Sequence, residues 1–230
     1  MRREIIRTKN FARDAADLIV ERARGAFARR DNFRIALSGG NTPRPVYREL
    51  ASRSVPWQDL IITFSDERCV PPDNEQSNFR MAKETLLEPA RIPDSSVLRM
   101  RGELVPAEAA DQYDEQLDAL ARKRGEGVYQ HDLILLGIGD DGHTASLFPG
   151  TAALSEMSRS VVANYIEKLD SWRLTFTLPL IFAARAVCFL VGAKKDSKLI
   201  DRVLSGDRSL PATLVDEGAR HVIWVIAEAA

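Results

Sequence analysis

The chain has 230 residues, of which 45% are apolar and 28% are charged, a balance that excludes disordered and fibrous proteins. Its 32 basic and 33 acidic side chains nearly cancel, so no overall field favours nucleic acid or an anionic membrane as a partner. No stretch approaches the ~18 apolar residues of a membrane span, and no apolar run follows the charged amino terminus, which predicts a cytoplasmic protein.

Apolar runs alternate with helical patterns along the chain. In chain order, we predict a helix at 11–30, a strand at 33–37, a helix at 43–53, a strand at 60–64, a site loop around 70–78, helices at 77–88 and 106–124, strands at 132–138, 161–166, 173–178 and 186–191, a helix at 194–204 and a strand at 221–226. Several strands are apolar on both faces, which is typical of a parallel sheet between helices. The pattern predicts one α/β domain over residues 1–230, doubly wound, with a mostly parallel sheet and helices on both faces. Ligands should then bind at the carboxyl ends of the strands.

A glycine-containing loop follows the first predicted strand and precedes a helix. Its residues are Ser38, Gly39, Gly40, Asn41 and Thr42. Its backbone amides and hydroxyls can surround an anion, as in phosphate sites, and Thr42 is also placed to cap the helix. The loop is not a Walker motif, because no Gly-Lys-Ser/Thr follows. It is either a phosphate cradle or a plain turn between strand and helix.

Charged residues follow the next predicted strand, in the order Asp66, Glu67 and Arg68. Such a group is often surface charge. At the edge where ligands should bind, however, Arg68 could clamp an anion and Asp66 could serve as a polar or proton-transfer group. How Asp66 and Glu67 divide their roles stays open.

The loop GIGDDGHT at 137–144 is the most informative. It fits the dinucleotide fingerprint G-x-G-x-x-G. Asp140 and Asp141 would face the pyrophosphate, however, and Asn164 stands where an acid should bind the ribose, so no nicotinamide cofactor is expected. We expect the glycines instead to turn the chain so that His143 enters the cleft and Asp141 orients it or tunes its charge.

We expect neither a metal nor a cofactor. His131 and His221 each precede an apolar strand and have no companion at metal-ligand spacing, and the two cysteines are too far apart for a metal knuckle. Lys195 follows the strand at 186–191. It either reaches the same cleft edge or belongs to an ordinary helix start.

Four motifs in this order, SGGNTP, FSDERCVPPDNEQSNFRMAKETLL, GIGDDGHTASLFPG and GAKK, resemble the family of the 6-phosphogluconolactonases and the glucosamine-6-phosphate isomerase/deaminases. The resemblance runs from about Phe33 to the last strand, and each motif lies at a strand end. It implies a single α/β domain that hydrolyses 6-phosphoglucono-1,5-lactone to 6-phosphogluconate in the oxidative pentose phosphate pathway. The implied partner is a small sugar-phosphate lactone, and the oligomeric state is not indicated.

The resemblance also implies roles for the motif residues. His143 matches a general base that activates water against the lactone carbonyl and returns the proton to the ring oxygen, a task that suits an imidazole of ordinary pKa. Asp141 matches its orienting partner. The implied substrate and phosphate contacts are Ser38, Gly39, Gly40, Asn41, Thr42, Asp66, Arg68, Gly139, Asp140, Lys195 and Arg173. The role of Arg173 is the least defined of these.

Two other functions stay open. An isomerase/deaminase would continue its histidine motif as GHIAFNEP, with a glutamate that tunes the ring-opening histidine, whereas this chain reads GHTASLFP with Phe148 at that place. A non-catalytic sugar-phosphate-binding protein would need the phosphate loop without a general base, and the presence of Asp141 and His143 counts against it. Turnover of the lactone separates the three.

Overall fold

The computed structural model, which describes residues 2–228, contains a parallel sheet and a smaller antiparallel one. The strands are β1 Arg2–Thr8, β2 Phe33–Leu37, β3 Leu60–Phe64, β4 Asp66–Arg68, β5 Leu133–Leu136, β6 Val161–Ile166, β7 Ser171–Phe176, β8 Val187–Val191 and β9 His221–Ala227. The helices are α1 Phe11–Phe27, α2 Pro43–Ala51, α3 Asn78–Ala82, α4 Pro106–Arg122, α5 Leu178–Ala183, α6 Ser197–Leu204 and α7 Pro211–Gly218. The parallel sheet has the strand order β1-β9-β8-β5-β2-β3, and the antiparallel sheet has the order β4-β7-β6.

The parallel sheet is buried on both faces because successive strand residues are apolar. In β8, Val187, Phe189 and Val191 join one hydrophobic cluster, and Cys188 and Leu190 join another on the opposite face. The helices α1, α2 and α3 contribute to the second cluster, while α4 to α7 and the antiparallel sheet contribute to the first. The prediction of a doubly wound, mostly parallel α/β sheet with helices on both faces is confirmed.

The strand register brings three loops together. β2 pairs in parallel with β3, with Leu37 opposite Phe64, and also with β5, with Ala36 opposite Ile134. Because parallel strands end at the same edge, the loops that follow β2, β3 and β5 emerge side by side. These loops carry the glycine pair, the Asp66 to Arg68 group and the His143 motif.

Some elements differ from the predictions. The strands predicted at 161–166 and 173–178 are β6 and β7, which pair antiparallel outside the main sheet. The second of them ends at Phe176, because α5 begins at Leu178 with a proline in its first turn. Residues 66–68, predicted as loop, form β4 along β7. β1, α5 and α7 were not predicted at all, and β1 is a mostly charged edge strand.

The ends of several helices also differ from the predicted ones. The helix predicted at 11–30 ends at Phe27, and the one predicted at 194–204 begins only at Ser197. The helix predicted at 77–88 is α3 followed by a π-helical turn over Lys83–Leu87. Each change lies at the margin of an element or within a short one, where local patterns are weakest.

Candidate active site

A cleft of about 670 Å³ opens where β2, β3 and β5 end. The predicted residues in its wall are Ser38, Gly39, Gly40, Asn41, Thr42, Asp66, Arg68, Gly139, Asp140, Asp141, His143 and Arg173. Further wall residues that were not predicted include Asn78, Ser146, Phe148 and Lys168. The structure therefore gathers the charged and glycine motifs into one concave site.

Asp141 holds His143 by two contacts. Its Oδ1 accepts a hydrogen bond from the backbone N–H of His143 at 3.1 Å, and the same oxygen lies 2.5 Å from the ring Nδ1. Because an ionised carboxylate can only accept, the Nδ1 atom carries the proton and Nε2 keeps its lone pair. This tautomer is the one that can take a proton from water through Nε2.

The ring of His143 is packed on two sides. Phe148 stacks on it with ring centres 3.9 Å apart and planes 21° apart. On Gly139, a Cβ atom would lie 2.0 Å from His143 Cε1, so the ring fits only beside a glycine. Burial lowers the pKa of His143 to about 4, against the opposing charge of Asp66. The expectation of an ordinary imidazole pKa is therefore wrong, because the ring is largely withdrawn from water.

Lys168 also reaches the site, from the 3₁₀ turn Glu167–Leu169 between β6 and β7. Its ammonium pairs with Asp141 Oδ2 and lies 4.7 Å from the ring centre of Phe148. Sequence reasoning missed Lys168 because it lies outside every motif. The short connection between the two predicted strands indicated an antiparallel pair, but nothing in the sequence placed the tip of that hairpin beside the site.

Asp66 and Glu67 have different surroundings. Asp66 faces the cleft, where its carboxylate accepts hydrogen bonds from Ser146 Oγ at 2.7 Å and from Asn78 Nδ2 at 3.2 Å. Glu67 lies on β4 and is buried against the start of α3. Its carboxylate accepts hydrogen bonds from the backbone N–H groups of Asn78 and Phe79 at 2.7 and 2.8 Å. Asp66 is thus available to a ligand, whereas Glu67 satisfies the first amides of a helix.

Arg68 and Arg173 lie directly opposite each other on β4 and β7. Like charges at such a position repel. Arg68 donates to the carbonyl of Gln76 at 2.5 Å and Arg173 to the hydroxyl of Ser171 at 2.7 Å, and both of these partners are neutral. Burial lowers the pKa of Arg173, and the charge of Arg68 adds to this effect. Among residues 2–228, neither guanidinium group has a carboxylate partner, and two adjacent guanidinium groups of this kind favour binding of an anion here.

The glycine loop after β2 is anchored by Tyr47 from α2. The Tyr47 hydroxyl donates to the carbonyl of Ser38 at 2.8 Å and accepts from its amide at 2.9 Å. The amides left for an anion are therefore those after Ser38. An added Cβ on Gly39 would lie 1.9 Å from Asn78 Oδ1, so a glycine is required there. Thr42 makes no side-chain cap to α2, and that prediction is wrong.

Lys195 lies at the rim of the cleft and is not part of its wall. Its ammonium is 2.6 Å from Asp140 Oδ1, and it lines a neighbouring cavity. The Asp140 side chain is 98% exposed. This carboxylate is well hydrated, so it is a weak competitor for Lys195 against a ligand of higher charge.

Residues 2–228 are the part of the chain that the structure describes. Within that range, no group of three or more His, Cys, Asp or Glu side chains is arranged to hold a metal ion. Over the same residues, no helix is long and apolar enough to cross a membrane.

Known proteins are similar to this chain over nearly its whole length. The family model described as glucosamine-6-phosphate isomerases/6-phosphogluconolactonase matches residues 7–224. A 6-phosphogluconolactonase of Synechocystis sp. is 36% identical over 216 residues, 92% of this chain and 89% of that protein. The human 6-phosphogluconolactonase is 34% identical over 94% of this chain and 86% of its own. The crystal structure of 6-phosphogluconolactonase from Thermotoga maritima matches with a TM-score of 0.87 at 28% identity, covering 99% of this chain and 100% of that one.

Proposed function

The chain belongs to the family of glucosamine-6-phosphate isomerases and 6-phosphogluconolactonases, and we propose that it hydrolyses 6-phosphoglucono-1,5-lactone with His143 as the general base. Lactone hydrolysis, a step of the pentose phosphate pathway, is the activity for which its curated relatives are named. The observation that carries the proposal is the cleft itself, where a neutral imidazole held by a carboxylate lies in the same wall as two arginines with neutral partners.

His143 and Asp141 would perform the proton transfers. The Nε2 atom of His143 accepts a proton from water as the water oxygen bonds to the lactone carbonyl carbon. Asp141 holds the ring in place through Nδ1 as the imidazolium forms. The ring C–O bond then breaks, and the imidazolium returns its proton to the departing ring oxygen. The product is a free carboxylic acid, which ionises at neutral pH and releases one proton.

The anionic end of the substrate needs amides and cations. The amides of the loop from Gly39 to Thr42 and the guanidinium groups of Arg68 and Arg173 lie in the cleft wall. Lys195 stands at the rim and pairs with the exposed Asp140. A phosphate with nearly two negative charges would displace that hydrated carboxylate and gain a charge-assisted contact.

Phe148 favours lactone hydrolysis over isomerisation or deamination. In the resembling isomerases, a glutamate at this place tunes the ring-opening histidine. Here Phe148 stacks on His143 instead, which keeps the ring neutral and adds no charge. A purely binding role would have no use for the Asp141–His143 contact.

Base-uptake titration on freshly made 6-phosphogluconolactone tests the proposed function. We expect acid release above the spontaneous background, at a rate proportional to protein concentration. Ammonia release from glucosamine-6-phosphate, measured in parallel, should stay at the level without protein. Background rates on the lactone, or rapid ammonia release, would overturn the proposal.

A further inference from the structure

Lys168 contacts the Asp141–His143 pair from a separate part of the fold. It lies in the turn between the antiparallel strands β6 and β7, whereas Asp141 and His143 follow the parallel strand β5. The Lys168 side chain is 52% exposed. Holding a long, half-exposed side chain in one place costs conformational entropy, so its contacts at the site must offset that cost.

Lys168 reaches His143 by two routes. Its ammonium donates to Asp141 Oδ2, while Oδ1 of the same carboxylate contacts the backbone N–H and the ring Nδ1 of His143. The ammonium also lies 4.7 Å from the centre of the Phe148 ring, within the range of a cation–π interaction. Phe148 in turn stacks on His143. The carboxylate and the aromatic ring that fix the imidazole are therefore both in contact with this lysine.

The two carboxylate oxygens of Asp141 have different partners, His143 for Oδ1 and Lys168 for Oδ2. A carboxylate whose only partner is an imidazole attracts a proton onto that imidazole. A general base at neutral pH must stay unprotonated until it meets water. We propose that Lys168 is a positioning residue that neutralises Asp141, so that Asp141 orients His143 without favouring its protonation. This inference rests on the proposed role of His143.

The remaining charges around His143 nearly balance. The anionic groups are the carboxylates of Asp66, on β4, and of Asp140, in the loop that carries His143. The cationic groups are the ammonium of Lys195, after β8, and the guanidinium of Arg173, on β7. Two of these groups are anionic and two are cationic. Without the positive charge of Lys168, the negative charge of Asp141 is no longer neutralised by that lysine, and it favours the protonated form of the His143 ring.

The substitution Lys168→Met tests the proposal. It keeps an unbranched apolar stem beside Phe148 and removes the charge. The titration of His143, followed by NMR of its ring signals in ligand-free protein, should move to higher pH by about one unit or more. At saturating lactone, kcat relative to wild type should be about twofold lower or more at pH 5 and the same as wild type at pH 8. KM should stay within about twofold.

Two further variants serve as controls. Lys168→Arg keeps the charge and should restore both the titration and the pH dependence of kcat. Lys123→Met removes an exposed lysine at the far end of α4 and should change neither. Thermal unfolding of each variant establishes that the protein is folded before its titration is compared.

A His143 titration that is the same in Lys168→Met and in wild type would overturn the proposal. If KM then also rose for 6-phosphogluconolactone but not for unphosphorylated gluconolactone, Lys168 would be a phosphate contact. Because the NMR titration uses ligand-free protein, its outcome is separate from whether His143→Ala loses turnover, which tests the proposed function.

Discussion

His143 is a neutral base because of its surroundings. Phe148 covers one face of the ring, Gly139 lies against its edge, and burial lowers its pKa to about 4. The protonated form that could not accept a proton from water therefore appears only in acid. A lower pKa makes His143 a weaker base. In return, nearly all of the protein has an unprotonated His143 at neutral pH, which is the form that can accept a proton from water.

The pH dependence of kcat should reflect this position of His143. At saturating substrate, we expect kcat to be nearly constant from about pH 8 to about pH 5.5 and then to fall towards about tenfold per pH unit below pH 4, as the imidazole becomes protonated. The measurement is kcat from base-uptake titration, corrected for spontaneous hydrolysis. Saturation matters because the substrate phosphate also titrates near pH 6. An inflection between pH 6 and 7 would assign His143 an ordinary pKa.

Lys195 should act on the phosphorylated end of the substrate alone. One charge-assisted contact contributes about 1.5 to 3 kcal/mol, roughly a tenfold to hundredfold effect on kcat/KM. Lys195→Ala should therefore reduce kcat/KM for 6-phosphogluconolactone by about that factor and hardly change hydrolysis of gluconolactone. Equal losses on both lactones would mean that Lys195 serves the chemistry or the fold, and that the phosphate is bound elsewhere.

At the scale of single elements, α3 depends on one buried carboxylate. Glu67 accepts from the amides of Asn78 and Phe79, and Asn78 then contacts Asp66 in the cleft. Glu67→Gln replaces an acceptor with a donor beside these amides. It should lower the free energy of unfolding, measured by urea denaturation, by about 1 to 3 kcal/mol.

A surface glutamate provides the comparison for this change. Glu84 pairs with Arg80 on the exposed side of the same segment, so Glu84→Gln should leave stability almost unchanged. If Glu67→Gln proved as stable as Glu84→Gln while losing most of its kcat, Glu67 would belong to the chemistry and not to the helix.

The predicted elements succeeded where hydrophobic patterns are local. β2, β3, β8 and β9 are short and mostly apolar, and their placement follows from the pattern and length of these segments. β4 has no such pattern, because its three residues are charged and its pairing depends on β7, far along the chain. The partner of β6 was predictable in principle, since the short connection to β7 excludes a parallel crossover between them.

The cleft as a whole lies between two sheets. The parallel sheet supplies the glycine loop and the His143 motif, and the antiparallel sheet supplies Arg68 and Arg173, with Lys168 at the connection between β6 and β7. Motif resemblance was enough to select residues that follow strands. It could not select Lys168, nor separate Asp66 from Glu67, because both distinctions arise from contacts between distant segments.

The most direct test is the kcat of folded His143→Ala on 6-phosphogluconolactone, measured beside wild type by base-uptake titration. Loss of the general base should reduce kcat by about a hundredfold or more, while circular dichroism and the melting temperature stay close to wild type. A folded His143→Ala variant that hydrolyses the lactone at nearly the wild-type rate would contradict the assignment of His143 as the base.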